Sequence, residues 1–371
     1  MKNYQRLGDY IRPVDVRNRD LKVNLSQGIC NAKYFQNPKQ VADNPETHKV
    51  VRTGQFAYNR ATTRNGDKIS IALREGPDCT VSSAYQVFEI VDENQLDPKY
   101  LMMWFKRPEF DRLAIFYSHG SAHEFFEWDA MCEVRLPIPS IARQRKIVEE
   151  YETLSRRIRL NEQMIVRLEE TAQALYRKMF VDGIDKENLP EGWRRGRLGE
   201  VANCLDYKRR PLSEEERQPI KGMYPYYGAM SVVDHINQYI FDGTYLLFSE
   251  DGANVIDEFG HPALQYLWGK FWVNNHAHVL QGNEMVSTEY LYMALKGVNA
   301  THLVTGAAQP KINQENMNSI QLIVPAKKKM EEFNQNVEHT FHLYKLKTEE
   351  NLKLTELQSL LLARMGKEKK Q

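Results

Sequence analysis

The sequence predicts an α+β protein: two mixed, strand-rich globular units separated by two long helices that pair as an antiparallel coiled coil. Three observations carry this expectation. The stretch Ile141–Phe180 places Ile147, Tyr151, Leu154, Ile158, Asn161, Ile165, Leu168, Ala172, Leu175 and Met179 at alternating steps of four and three, which is a coiled-coil seam. The chain repeats itself once, and the repeat supplies a second helix. Between the helices lie short aromatic and β-branched runs broken by Gly or Asp.

The first helix has recognisable ends. Pro137-Ile138-Pro139 precede Ser140, and Gly183 lies just past the last seam residue, as expected for a helix start and stop. Forty residues at about 1.5 Å each make a rod of roughly 60 Å, which suits a spacer or docking element. Asn161 is its one strongly polar seam residue, and a buried Asn can fix register and partner. The outward face carries Arg156, Arg157, Arg159, Glu162, Arg167 and Glu170. These are either a solvated surface or a docking face.

The repeat runs at an offset of 186 to 192. Arg6-Leu7-Gly8-Asp9 recurs as Arg197-Leu198-Gly199-Glu200, Tyr100-Leu101 as Tyr290-Leu291, and Gly120-Ser121-Ala122 as Gly306-Ala307-Ala308. Leu136-Pro137-Ile138-Pro139 recurs as Leu322-Ile323-Val324-Pro325, and Lys178-Met179 as Arg364-Met365. The expected divisions are therefore a globular unit over 1–139, a helix over 140–182, a second globular unit over 183–325 and a helix over 326–371. The second helix keeps Phe333, Val337, Tyr344, Leu354, Leu361 and Met365 on its seam, interrupted by Lys347, Asn351 and Gln358. Its extra apolar residues Phe341, Leu346, Leu352 and Leu357 suggest a broader face packed on more than one neighbour. Expected strands include Ile69–Ala72, Tyr85–Ile90, Tyr239–Phe241, Tyr245–Phe248 and Phe271–Val273, with short helices near Tyr100–Phe105 and Tyr290–Leu295. Asp182–Glu191 reads as a polar linker.

Composition excludes several classes. The 371 residues are 42% hydrophobic and carry a net charge of +1, ordinary for a folded protein and not a general polyanion binder. By segment the net charges are +1, +2, −5 and +3, so any DNA contact must rest on local basic groups or on a partner. No apolar run is long enough for a membrane span, and the N-terminus lacks a signal core. Cys30, Cys79, Cys132 and Cys204 form no CxxC pair. A disulfide framework and a structural zinc are thus not expected, and a reducing cytoplasm fits.

The second unit opens with Leu189-Pro190-Glu191-Gly192-Trp193 and Leu198-Gly199-Glu200-Val201. Then come Tyr226-Tyr227-Gly228-Ala229, Asp251-Gly252-Ala253-Asn254, Val273-Asn274-Asn275-His276-Ala277-His278 and Gly306-Ala307-Ala308-Gln309-Pro310-Lys311. Ile323-Val324-Pro325 leads into the last helix. This order resembles the specificity subunit of type I restriction–modification systems over nearly the whole chain. The first unit is a weaker version: it lacks the Pro-Glu-Gly-Trp opening, and His123-Glu124 replaces Gln309-Pro310. The resemblance implies a non-catalytic DNA-reading subunit with two target-recognition domains, each reading half of a split site in double-stranded DNA. The helices would space them and dock two methyltransferase subunits, which a motor-endonuclease (restriction) subunit can join. The chain itself would bind no cofactor; S-adenosylmethionine would sit on the methyltransferase.

Base reading favours Arg, Lys, Asn, Gln, Ser and Thr on exposed loops. The first unit offers Asn59, Arg60, Thr62, Arg64 and Lys68 in one polar loop, with Ser121 and His123 on its Gly-led loop. The second offers Lys208-Arg209-Arg210, Tyr227, Asn254 and Asn275, and Gln309 and Lys311 on the equivalent loop. Each has a plainer reading as solvated loop or strand packing. His276 and His278 would share a strand face but lack a third metal ligand, so no metal is expected.

Two rival functions have sequence support. Asp78, Asp97 and Lys99 loosely match a metal-dependent nuclease pattern, although Asp97-Pro98 reads better as a helix cap. A coiled-coil scaffold with two protein-binding modules is the other rival. The chain has no GxxxxGK[ST] phosphate loop and no Asp/Asn-Pro-Pro-aromatic methyltransferase signature, and no nucleophile–base pair is identifiable by spacing.

Overall fold

The computed structural model describes residues 4–38, 44–62, 66, 68–118, 124–229, 231–252, 255–306 and 309–366. The chain divides into two compact units. Unit 1 takes residues 1–161 and 350–371, and unit 2 takes 162–349. Each therefore owns one stretch of both long helices, whereas the sequence divisions run from element to element.

Unit 1 contains β1 (Tyr4–Arg6), β2 (Ile11–Val14), β3 (Gly28–Ile29), β4 (Phe35–Gln36), β5 (Lys49–Val51), β6 (Phe56–Asn59), β7 (Ile71–Leu73), β8 (Cys79–Val81) and β9 (Tyr85–Ile90). Helices α1 (Pro98–Phe105), α2 (Pro108–Phe116) and α3 (Trp128–Glu133), strand β10 (Arg135–Pro137) and the first part of α4 (Ile141–Phe180) follow. Its main sheet is antiparallel in the order β2-β9-β6-β7. Phe56 and Phe88 stack at 4.9 Å between β6 and β9, and Phe105 of α1 meets both edge-on. Asp97 caps α1 by accepting from the backbone N–H of Lys99 and Tyr100.

Unit 2 begins within α4 and adds β11 (Arg194–Arg197), α5 (Leu198–Val201), β12 (Ala202–Cys204), α6 (Glu214–Arg217), β13 (Lys221–Tyr227), β14 (Val232–Ile236), β15 (Phe241–Ser249), β16 (Leu264–Val273) and β17 (Ala277–Gly282). Then come α7 (Thr288–Leu295), α8 (Gln314–Asn318), β18 (Gln321–Val324) and α9 (Lys327–Met365). Its sheet order is β12-β17-β15-β16-β13-β14. The first four strands repeat the unit 1 sheet, register included: Asn59 faces Tyr85 as Ser249 faces Ala277, and Ile11 faces Ile90 as Ala202 faces Gly282. Unit 2 then extends the edge with β13, which runs parallel to β16.

The sequence reading split one of these strands too early. Asp242-Gly243 looked like a breaker, yet β15 runs through it. Gly243 lies opposite Gly269, and both have positive φ (138° and 78°), a conformation that glycine adopts without strain.

Each unit closes at a two-stranded root of its own, built in the same way. β1 pairs antiparallel with β10, and β11 with β18, so the repeated opening and closing motifs meet where a long helix starts. The Tyr100 hydroxyl donates to the Pro137 carbonyl (3.0 Å), and Tyr290 donates to Ile323 in the same way. A Cβ on Gly8 would lie 2.7 Å from Cβ of Cys132; one on Gly199 would lie 3.0 Å from Cβ of Asn318. Cys132 and Asn318 are 186 positions apart.

Along α4 the seam residues Ile147, Tyr151, Leu154, Ile158, Asn161, Ile165, Leu168, Ala172, Leu175 and Met179 are all buried or half-buried. In unit 1 the helices run antiparallel, because Ser155 meets Gln358 (2.6 Å) and Asn161 meets Asn351 (2.9 Å). Two of the polar interruptions of the second seam, Asn351 and Gln358, thus have polar partners on α4, and Asn161 is one half of a pair. The broader apolar face is not found. Phe341 is buried against Tyr266, but Leu346, Leu352 and Leu357 lie off the seam and are exposed. No described helix is long and apolar enough to cross a membrane.

Candidate nucleic-acid interface

Four separate segments of unit 2 converge beside the ends of β15 and β17. They are the turn after β12 (206–210), residues 250–252 after β15, 274–276 before β17, and 305–306 with 309–312. Backbone bonds join them: Glu250 N–H donates to His276 (2.9 Å), Ile312 N–H to Glu250 (2.9 Å) and Gly252 N–H to Pro310 (3.2 Å). Beneath them lies a charge network. Arg209 bonds Asp206 (3.0 Å), Glu250 (2.7 Å) and the Ala277 carbonyl (2.8 Å), and Lys311 bonds the other oxygen of Glu250 (2.8 Å). His278, 1% exposed, sets Nδ1 2.6 Å from Asp206 and Nε2 2.9 Å from the Ile312 carbonyl. The Ile312 carbonyl can only accept, so Nε2 is the donor to it, and Nδ1 faces the Asp206 carboxylate.

Burial alone would raise the Asp206 carboxyl. Hydrogen bonds from His278 and the Val279 N–H, and the charges of His278 and Arg209, outweigh burial and hold it below the ordinary value. Glu250 is likewise pushed up by burial and pulled lower overall by Lys311 and Arg209. Both carboxylates are therefore ionised at neutral pH and serve as struts between loops.

This geometry sorts the sequence candidates. Lys208, Arg210, Asn275 and Gln309 are exposed on the converging segments. Arg209, between two exposed cations, points inward and is committed to the network. Lys311 is exposed but tied to Glu250. Tyr227 packs edge-on against Phe271 (5.8 Å) and belongs to the sheet core. Gly306 has a positive φ (83°), and a Cβ there would lie 2.5 Å from the Gln309 carbonyl oxygen. The two histidines do not share a strand face, since His276 precedes β17 and pairs with Asp251 (2.8 Å).

Unit 1 closes its loops through equivalent bonds. Phe126 N–H donates to Arg60 (2.9 Å) as Ile312 does to Glu250, and Thr62 N–H donates to Glu124 (3.0 Å) as Gly252 does to Pro310. The bridge Ala61–Phe125 matches Asp251–Lys311. Here Arg60 is half-buried, pairs with Glu127 (3.2 Å) and lies over Phe125. Asn59 accepts from the Ala61 N–H (3.1 Å). Thr62 is 1% exposed and its hydroxyl donates to Glu124, so it holds the junction together. Lys68 is exposed. Arg64, Ser121, His123 and Asn254 lie outside the described residues.

The sequence reading missed Asp206, Glu250 and His278 as a group, because they are 28 to 72 positions apart and follow no spacing rule. Cys204, Asp206 and His278 bring potential ligand atoms within 4.8 Å of one another. Arg209 already neutralises Asp206, however, and both His278 nitrogens are engaged, so these residues do not suit a cation. The nuclease pattern does not assemble either. Asp97 is used as a cap, Asp78 accepts from the Thr53 N–H (3.2 Å) and Lys99 pairs with Glu152.

Comparison with known proteins places this architecture. Residues 190–356 match the family described as type I restriction modification DNA specificity domain. A Haemophilus influenzae protein, provisionally named type I restriction enzyme specificity subunit S.HindORF215P, is 32% identical over 128 residues, which is 34% of this chain and 32% of that one. The match thus spans about a third of the relative's length. The S subunit of a type I restriction–modification system from M. genitalium superposes with a TM-score of 0.59 over 99% of this chain and 96% of that one, at 15% identity. The HsdS subunit from Thermoanaerobacter tengcongensis covers 98% and 96% at 16% identity, with a TM-score of 0.37. Residues 190–356 therefore match the type I restriction modification DNA specificity domain, and the whole chain shares the fold of the M. genitalium S subunit.

Proposed function

We propose that this chain reads DNA sequence for a type I restriction–modification complex and catalyses nothing itself. Each unit reads one half of a split, asymmetric site. The single observation that supports this most is the loop junction built twice from the same backbone bonds and furnished with different side chains. Arg60 and Phe125 stand in one unit where Glu250 and Lys311 stand in the other. Two readers of different half-sites need a common frame and unlike contact residues.

The long helices serve as spacer and docking element for two methyltransferase subunits. These bind S-adenosylmethionine and methylate adenine, and a restriction subunit joins the same complex. The outward face of α4, with Arg156, Arg157, Arg159, Glu162, Arg167 and Glu170 exposed, is the proposed docking surface.

Methylome sequencing of cells with and without the chain tests the reading: one bipartite adenine motif should vanish with it. Gln309→Ala should relax one base of one half-site, by about 1–3 kcal/mol of discrimination for a lost bidentate contact. A heptad inserted into α4 and matched in α9 should change the unread spacer and leave both half-sites intact. An unchanged spacer refutes the ruler; an unchanged methylome on deleting the chain refutes the function.

A further inference from the structure

Unit 1 has a second basic feature, apart from its loop junction. A cavity of about 290 Å³ lies between the segment before β4, the foot of the Asn59–Lys68 loop and the start of α2. Lys33, Lys68, Lys106 and Arg112 line it, against the single carboxylate of Asp111, and Asn31 adds an amide. Glu109 pairs with Arg112 at 3.6 Å.

The floor is built rather than incidental. Lys33 is 8% exposed and donates to Asp111 (2.7 Å) and to the Phe105 carbonyl. The same Asp111 oxygen accepts the Ile69 N–H (3.1 Å), which anchors the loop immediately after Lys68. Burial lowers the Lys33 ammonium below its ordinary value; Asp111 opposes that, and repulsion from Lys68 and Lys106 adds to it. Lys106 reaches over the Tyr151 ring at 5.2 Å. Among the described residues, no ion pair joins Lys68 or Lys106 to a carboxylate. The cavity thus concentrates cations with too few anions, and an entering anion would relieve their repulsion.

We propose that this cavity binds a phosphate group, the phosphodiester of duplex DNA beside the half-site read by unit 1. The part concerning DNA rests on the function proposed above; the phosphate chemistry does not. Lysines suit phosphate as point charges and Arg112 as a fork. Such contacts set the register of the reader on the duplex and carry no sequence information.

The test uses the full chain and a Lys68→Ala/Lys106→Ala/Arg112→Ala variant. All three residues are solvent-exposed, so the variant should keep the parent melting temperature. Lys68→Arg is the charge-conserving control. Two probes are titrated: duplex DNA at several salt concentrations, read by fluorescence anisotropy, and inorganic phosphate, read by broadening of its ³¹P resonance.

The variant should bind matched and unmatched duplexes more weakly by the same factor. Its plot of log K against log salt should be flatter by about two to three, and Lys68→Arg should retain the parent slope. A loss confined to one sequence, or an unchanged slope, overturns the DNA assignment. If the parent chain binds no DNA but broadens phosphate, and the variant does not, the pocket stands as a free-phosphate site while the DNA-reading function fails. Equal phosphate broadening in parent and variant, with unchanged DNA binding, overturns the pocket.

Discussion

The two units share a skeleton and differ in what stabilises it. Both have a four-stranded antiparallel sheet in corresponding order, a two-stranded root, a tyrosine bonded to the root carbonyl and a loop junction closed by the same backbone bonds. Unit 2 extends the sheet by two strands and ties its loops with Arg209, Lys311 and His278 around Asp206 and Glu250. Unit 1 keeps the four strands and holds its long loop through one buried pair, Lys33–Asp111. Duplicated backbone hydrogen bonds keep the frame while side chains diverge, because main-chain bonding depends only weakly on residue identity.

The largest contrast is at the helix ends. Phe180 closes α4 in an aromatic cluster of Tyr290, Phe333 and Trp193, with centroids 5.0–5.6 Å away. The position 186 residues later is Gly366, whose carbonyl accepts from Tyr4 (2.7 Å). Phe180→Ala should cost unit 2 about 3–5 kcal/mol and lower its protection from hydrogen exchange while unit 1 keeps its own. Equal loss in both units would mean that they unfold as one.

Next comes the loop network. Arg209→Ala leaves Asp206 and Glu250 short of a buried partner and should cost about 3 kcal/mol or more. Arg210→Ala, exposed next door, should stay within about 0.5 kcal/mol. Urea melts of the two variants separate strut from surface; equal effects would remove the network's structural role.

The units should also respond to pH in different windows, both gaining stability as pH rises. The depressed Asp206 and Glu250 contribute stability that is full above their unfolded values, near 4, and is lost as pH falls through their lower folded values. Lys33 is depressed too, but as a base, so unit 1 gains from it as pH rises through its folded value toward the unfolded one of about 10.4. Hydrogen exchange should show the segments around His276–Val279 and Lys311–Ile312 loosening first in acid. Protection retained there while the rest of unit 2 loosens would contradict the strut role.

The smallest expected effect tests the shared frame itself. Tyr100→Phe and Tyr290→Phe each remove one equivalent hydroxyl bond and should each cost about 1 kcal/mol. A clear inequality in thermal melts would mean that the two roots have diverged in energy as well as in sequence.

Much of the skeleton was legible because it is periodic or local. The four-three seam marked α4, Asp97-Pro98 marked the cap of α1, and the repeat matched the two roots. Side-chain roles at the junction were less legible. Lys208-Arg209-Arg210 reads as one basic patch, yet the turn after β12 sends the middle residue inward. Thr62 reads as a loop hydroxyl, yet it is sealed against Glu124. Lys347, Asn351 and Gln358 looked like flaws in a seam until Asn161 and Ser155 proved to face two of them.

Spacing along the chain was enough to predict the α+β class, the duplication and the two long helices. Which polar residues meet emerged from the folded chain: Asp206 with His278, Glu250 with Lys311, Lys33 with Asp111, Asn161 with Asn351. Those partners lie 61 to 190 positions apart, and folding, not spacing, selects among the many charges that could have paired.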